Sequence, residues 1–324
     1  MADDIPYVII NPNSNGGKTG KELDYILSTC KRVFGDFNFK VTRKLGDGVF
    51  LAKEAKEAGF KTIVAIGGDG TLNEVSNVVA NTDIKVGLVA RGGSCDAHQT
   101  HGIPRKLEDA LEIVAGGYNE RFPLGLARGD TDRYFIDMTD AAFTGAAADA
   151  DATFGWEWLP ADFRYGLIAM KIALFNFRPV PSKIVVDDQI REVDVSAFAV
   201  GLSDVLAGFQ ILPGNHPRRN EFGVLIAKDL KGLRLIYNML RALKGKHLKN
   251  KKHIEVLWGR NVVIESEKPM TWEAEGEIYS RKSTRVEIEY LPNAINLIIP
   301  EGWQYDTIIE EKPKLVSRIK ARIN

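Results

Sequence analysis

The chain has 324 residues, with 43 Lys+Arg against 43 Asp+Glu, 44% hydrophobic residues and 27% charged residues. That length exceeds what one hydrophobic core ordinarily supports and predicts two lobes, while the apolar content and zero net charge exclude intrinsic disorder and bulk attraction to nucleic acid. Cys30 and Cys95 are too few for a disulfide framework or a zinc site, which fits a reducing cytoplasm.

The opening, MADDIPYVII, puts two acids and no basic residue ahead of a short apolar run, so it reads as a first strand at 7–10 and not as a signal peptide. Next come a helix over 20–34, a strand at 37–41, a helix over 48–58, a strand at 62–66, a helix over 72–80, a strand at 85–89 and a helix over 105–115. Strands alternating with helices predict a parallel, Rossmann-like α/β sheet with ligands at the carboxyl ends of its strands. From about residue 122 the texture becomes β-rich, with strands expected at 183–186, 195–200, 222–227, 261–264, 285–290 and 294–299. A helix over 230–243 interrupts them. The expectation is a nucleotide-binding α/β domain (1–122) and a mostly antiparallel β-sandwich domain (123–302), with the tail 303–324 packing back on the first. Residues 312–324 read as a basic amphipathic helix. The longest apolar stretches, 166–177 and 193–213, are broken by Lys171, Asp194 and Asp204, short of the roughly 18 uncharged residues a span needs. A cytoplasmic protein, at most peripheral to a membrane, is expected.

Two Gly-rich junctions resemble nucleotide motifs that they do not complete. Gly17-Lys18-Thr19 ends like a P-loop, but Pro12 stands where that motif requires glycine; Gly68-Asp69-Gly70 lacks the third glycine of a dinucleotide fingerprint, having Asn73. What remains is chemistry. Glycines let the backbone reach positive φ or approach a ligand closely, and N–H groups at a helix start favour phosphate oxygens. A carboxylate beside phosphates needs a cation between them, which makes Asp69 a partner of Mg²⁺, with Thr71 and Asn73 as added donors. The plain alternative is a tight turn with a capping Asp.

Five segments in the same order resemble the diacylglycerol kinase catalytic-domain family of lipid kinases. They are NPNSNGGK (11–18), GGDGTLNEVSN (67–77), GLVARGGSCDAHQTHGIP (87–104), LAGFQILPGN (206–215) and TWEAEGEIYS (271–280), with Thr42 matching a threonine that contacts the nucleotide. The resemblance implies phosphoryl transfer from ATP to a lipid hydroxyl. It implies ATP contacts from Asn11, Asn13, Ser14, Thr42, Gly67, Gly68, Asp69, Gly70, Thr71, Asn73, Gly92 and Ser94, and Mg²⁺ at Asp69 and Asp96. Glu277 is the expected general base, with Asp69 and Glu275 as further catalytic carboxylates; without the other motifs, EAEGE would read as a solvated acidic turn.

The departures are specific. Gly93 and Cys95 replace a threonine and an asparagine of the family pattern, Glu275 replaces an aspartate, and Arg219-Asn220 stand where an Asp-Gly pair helps hold a structural Mg²⁺. A guanidinium repels a cation, so that second site is expected to be missing, with Arg219 supplying the charge. His98 and His101 read either as surface or capping residues or as a metal pair. The aromatic stretch 154–177, with Trp156, Trp158, Phe163 and Tyr165, reads as an acyl-chain cleft or membrane contact, or else as core. The basic runs 241–253 and 312–322 read as membrane-docking patches or as solvated faces. The expected partners are a lipid substrate, a peripherally contacted membrane and a second copy in a homodimer, with no nucleic acid. Within the kinase reading the acceptor is diacylglycerol, a sphingoid base, ceramide or another long-chain alcohol. The competing readings are an NAD-kinase-like enzyme and a nucleotide-binding protein that has lost catalysis.

Overall fold

The computed structural model describes residues 5–153 and 161–305. Strands β1 (Tyr7–Ile10), β2 (Asn38–Val41), β3 (Thr62–Gly67) and β4 (Lys85–Ala90) run parallel in the order β2-β1-β3-β4. Helices α1 (Lys18–Lys21), α2 (Leu23–Phe34), α3 (Asp47–Glu57), α4 (Asp69–Val79), α5 (Asp96–Thr100) and α6 (Leu107–Gly116) connect and cover them. β1 and β3 are buried at every position, as parallel strands covered on both faces must be, and this explains their unbroken apolar runs. The helix expected over 20–34 is broken at Glu22. The one expected over 72–80 starts earlier, so Asp69 sits on the first turn of α4, at the carboxyl end of β3.

The remainder is antiparallel. β5 (Asn119–Arg128), β6 (Asp132–Phe135) and β7 (Met138–Ala142) precede α7 (Phe143–Thr153) and α8 (Ala161–Lys171), and α8 continues into a π-helical turn, Ile172–Asn176. Then come β8 (Val180–Val186), β9 (Gln189–Gly201), the hairpin β10 (Val205–Leu206) and β11 (Phe209–Gln210), β12 (Phe222–Lys228), α9 (Gly232–Ala242), β13 (Ile254–Gly259), β14 (Asn261–Ser266), β15 (Trp272–Ala274), β16 (Glu277–Ser280) and β17 (Arg285–Ile298). The sequence shows little of β5 to α7, because Asp132 and Asp140 break the apolar pattern in β6 and β7 and α7 is Ala-rich with little amphipathic contrast.

Two buried clusters form, one around the parallel sheet and one between the antiparallel layers. β17 joins them. Its first half pairs with β14 and its second half runs parallel to β4, with a register shift between Leu291 and Ile295. The sequence suggests two strands there. Pro292, which cannot donate to a ladder, and Asn293, at φ 54°, form a bulge that re-aims one continuous strand. Val286, Ile288 and Tyr290 consequently pack into the second core, and Ala294, Ile295 and Leu297 into the first. Trp303 lies against His101 and Phe122 of the first core, at 6.1 and 6.2 Å between ring centres. Trp156, Trp158, the side chains of Phe163 and Tyr165, and the tail from 306 onward lie outside the described residues.

Candidate functional site

Three loops meet at the carboxyl ends of β1, β3 and β4. The first is held by Asn11, whose Nδ2 donates to Thr71 Oγ1 (3.1 Å) and whose Oδ1 accepts Asn13 N–H (3.0 Å). Ser14 Oγ donates to Asn11 O, and Thr19 Oγ1 ties this loop to Arg91 O. Asn15, Gly16 and Gly17 follow one another at φ 54°, 63° and 80°, so the chain turns tightly ahead of α1. Thr42 is buried beside this loop, its N–H on Ile10 O (2.9 Å).

Of the glycines in the second and third loops, Gly67 and Gly92 serve close approach. None of Gly67, Gly68, Gly70 and Gly92 has positive φ, which corrects half of the expectation for them. A Cβ on Gly92 would lie 2.5 Å from Gly68 Cα, and one on Gly67 would run into Thr71 at 2.7 Å from its Cβ. The two loops therefore cross backbone to backbone. Asp69 spans the crossing, Oδ2 accepting from Ser94 Oγ (3.0 Å) and Oδ1 from Ala97 N–H (3.2 Å). Asn73 corrects a second expectation. It is fully buried, its Nδ2 donating to Tyr134 O (2.8 Å) and its Oδ1 accepting from Asn77, so it clamps α4 to β6 and offers no donor to a ligand. Thr71 is also buried and is taken up with Asn11.

Facing α4 is the hairpin β15–β16. Its two central residues, Glu275 and Gly276, have φ 54° and 85°, both left-handed as a two-residue hairpin requires. This turn projects Glu277 toward α4, and a Cβ on Gly70 would lie 3.6 Å from Glu277 Oε1. Glu277 Oε2 is ion-paired with Arg133 of β6, both side chains being largely buried. Burial raises the Glu277 carboxyl above its ordinary range, and Arg133 opposes that rise. Glu275 faces the other way. Its Oε1 accepts N–H groups of Ile136 (2.6 Å) and Asp137 (2.8 Å), while buried Oε2 has no partner among the described residues. Burial pushes its carboxyl up to about 7. The tight turn gives Glu275 the work of an anchor, not of a second base.

Asp96 is buried at the start of α5, held by the N–H groups of Ala207 and Gly208 in the β10–β11 turn. Burial and then the charge of Asp69 push it up to about 7. A fourth acid, Asp137, has 1% exposure and, among the described residues, no donor to either carboxylate oxygen; the nearby Ser203 hydroxyl donates to Val205 O. Its carboxyl is held well above the ordinary range by burial, and then by Glu275, Asp69 and Asp96. Sequence reasoning missed Asp137 and Arg133. The available signal was an Asp within the apolar run Tyr134-Phe135-Ile136-Asp137-Met138, where an unpaired acid is costly. It also missed Glu74, whose two oxygens accept the N–H groups of Gly46 (2.8 Å) and Gly48 (2.7 Å) at the start of α3.

The chemistry of these groups suits a hard, oxygen-loving cation. Among the described residues no three carboxylate, His or Cys side chains converge on one ion. They therefore fit Mg²⁺ of the kind that arrives with phosphates and waters and takes one or two protein carboxylates, with Asp69 at the helix start as the nearer. Asp96 is already occupied by backbone donors.

His98 and His101 are neither surface nor capping residues nor a metal pair. Both are buried; His101 Nδ1 lies 2.8 Å from Ala97 O and its ring stacks on Trp303. Burial pushes them down to about 3 and about 4, so both are neutral core rings. Arg219 pairs with Glu221 (3.2 Å) and lies 3.6 Å above the Trp258 ring. Cys95, at φ 50°, accepts Gly92 N–H on Sγ (3.1 Å), so its thiol shapes the third loop from within.

Comparison with known proteins gives a consistent result. Residues 6–127 match the diacylglycerol kinase catalytic domain and residues 141–299 the YegS C-terminal NAD kinase beta sandwich-like domain. The chain is 27% identical over 275 residues to the diacylglycerol kinase of Bacillus subtilis (strain 168), covering 83% of this chain and 88% of that one. With the diacylglycerol kinase of Staphylococcus haemolyticus it shares 24% identity across 97% of this chain and 96% of that one. The fold is that of a diacylglycerol kinase from Bacillus anthracis (TM-score 0.68, 18% identity, 93% and 98% coverage). A yeast NADH kinase crystallised with NADH is more distant in fold (TM-score 0.54, 9% identity, 96% and 88% coverage). Residues 6–127 therefore carry a diacylglycerol kinase catalytic domain, and the chain is a phosphotransferase acting on an alcohol.

Proposed function

We propose, proceeding from those domain matches, that the chain transfers the γ-phosphoryl group of ATP, with Mg²⁺, to the hydroxyl of a lipid such as diacylglycerol. The observation that carries this reading is the approach of Glu277 Oε1 to Gly70, which sets a carboxylate beside a helix start whose N–H groups suit phosphate oxygens. Exposed Asn13 and Ser94, the N–H groups at the start of α4, and Asp69 make up the phosphate end of the site. Glu277 accepts the proton of the attacking hydroxyl as its oxygen bonds to the γ-phosphorus and the bond to ADP breaks. Magnesium, when bound through Asp69, offsets charge on the phosphates. Arg133 holds Glu277 until a substrate hydroxyl competes for it. In this assignment residues 1–122 hold the nucleotide and residues 123–302 face the lipid.

The test is transfer of label from γ-labelled ATP to diacylglycerol, monoacylglycerol, sphingosine and ceramide in mixed micelles, with Glu277→Gln and Asp69→Asn as controls. Label in one lipid, lost in both variants, is the expected outcome. Label in NAD and in no lipid would move the chain to the NAD-kinase-like reading. ATP binding without transfer to any acceptor would mark lost catalysis.

A further inference from the structure

Helix α9 presents an outward face that the fold does not cover. Leu235, Asn238 and Ala242 are buried on its inner side, and Ile236 and Met239 pack against the second core. Leu233, Tyr237 and Leu240, spaced so as to share one face, are 75%, 59% and 55% exposed. The π-turn Ile172–Asn176 packs beside α9 and adds Phe175, at 72% exposure. The helix is firmly held. Asn250 Nδ2 donates to Asn238 Oδ1 (3.0 Å), and Arg241 donates to Lys246 O (2.7 Å), so an apolar face is displayed on a rigid support.

Charge surrounds that face unequally. Residues 228–253 contain nine Lys and Arg and one acid, Asp229, a net +8 in a chain whose formal total is zero, which leaves −8 on the rest. Lys231, Arg234, Lys244, Lys249, Lys251 and Lys252 are exposed, and none has a carboxylate partner among the described residues. Lys244 follows in the turn just past the end of the helix.

From this juxtaposition we infer that α9 and the cationic loop after it form the surface by which the protein lies on an anionic lipid bilayer, with Leu233, Tyr237, Leu240 and Phe175 entering the headgroup boundary. Amphipathic helices with cationic rims bind bilayers in this way, through buried apolar area together with attraction to anionic lipid. A second copy of the chain does not fit, because two +8 faces repel each other. A nucleic acid would meet the cations and leave the apolar ridge in water. No described helix is long and apolar enough to cross a membrane, so the contact is peripheral. The inference rests on the lipid-kinase reading for its purpose, and on the α9 face for its geometry.

The experiment is co-sedimentation of the full chain with vesicles of phosphatidylcholine, with and without phosphatidylglycerol, for wild type, for the combined Leu233→Ser, Tyr237→Ser and Leu240→Ser variant, and for Lys251→Glu with Lys252→Glu. Wild type is expected to pellet with anionic vesicles and to be released by salt, and each variant to lose roughly tenfold in partitioning while keeping wild-type transfer to lipid in uncharged detergent micelles. As a measurement independent of those variants, Leu240→Cys is labelled with a polarity-sensitive dye, Cys30 and Cys95 being buried; the expected result is a blue shift on anionic vesicles. Wild type that stays in the supernatant, variants that pellet as well as wild type, an unshifted dye, or a DNA duplex that displaces the vesicles and binds the triple Ser variant equally would each overturn the inference. Micellar turnover with any of these failures leaves the kinase reading standing, whereas docking through α9 with no lipid phosphorylated in micelles removes that reading and keeps the surface.

Discussion

The start of α4 and the β15–β16 hairpin face each other across the site and are built on opposite principles. Around α4 the polar groups of the site find partners within the protein: Asp69 has two donors, Thr71 and Asn11 share a bond, and crossing glycines bring the backbones together. On the hairpin side Glu275 Oε2, Glu277 Oε1 and the carboxylate of neighbouring Asp137 have no hydrogen-bond partner among the described residues. A prearranged surface that needs no adjustment suits the binding of phosphates, whereas buried carboxylates with raised proton affinity suit the taking of a proton. The difference separates holding from reacting.

Five substitutions test that separation. Glu277→Gln should lower transfer by about 10²–10⁴-fold while ATP affinity, measured by calorimetry, stays near wild type; a parallel loss of ATP binding would show the two sides to be one. Arg133→Ala removes a cation that lowers the Glu277 carboxyl. The base must be ionised to act, so activity falls as pH drops through its pKa; without Arg133 that limb of the kcat/KM profile should move to higher pH, with roughly a tenfold loss below neutrality. An unmoved limb would mean that Glu277 is not the titrating base.

On the holding side, Gly92→Ala meets backbone at 2.5 Å and should cost about 1–3 kcal/mol in denaturant unfolding, while Gly93→Ala, with nothing within 4 Å, should fall within about 0.5 kcal/mol of wild type. Equal effects would refute the crossing. A further change is Asp137→Asn. Folding raises this carboxyl above its unfolded value of about 3.9, so the folded state binds the extra proton, and stability falls as pH climbs from that value through the folded one. Asparagine removes the penalty, and the variant should exceed wild type by about 1 kcal/mol at pH 8 and by less at pH 5 in thermal melts. A pH-independent difference would show that Asp137 is not the charged group.

The α/β order, the Gly-Gly-Asp-Gly junction and the Glu-Gly-Glu hairpin were legible along the chain because periodicity and turn chemistry are local. Boundaries shifted where local signals conflict, as at Glu22 and at the start of α4. Asn73 was misread because its neighbours in sequence belong to a phosphate loop while its neighbour in space is Tyr134 of the other lobe. The histidines were misread for a similar reason, since nothing near residue 98 or 101 announces Phe122 and Trp303.

By itself, then, the sequence determined which segments become strands and helices, where the chain turns beside the site, and which family motifs it carries, all of which depend on residues close together in the chain. The tertiary structure decided that Arg133 holds Glu277, that Asp137 joins Asp69, Asp96 and Glu275, and that one bulged strand serves both cores. Burial and electrostatic coupling depend on distance in space, and Arg133 and Glu277 alone lie 144 residues apart in sequence.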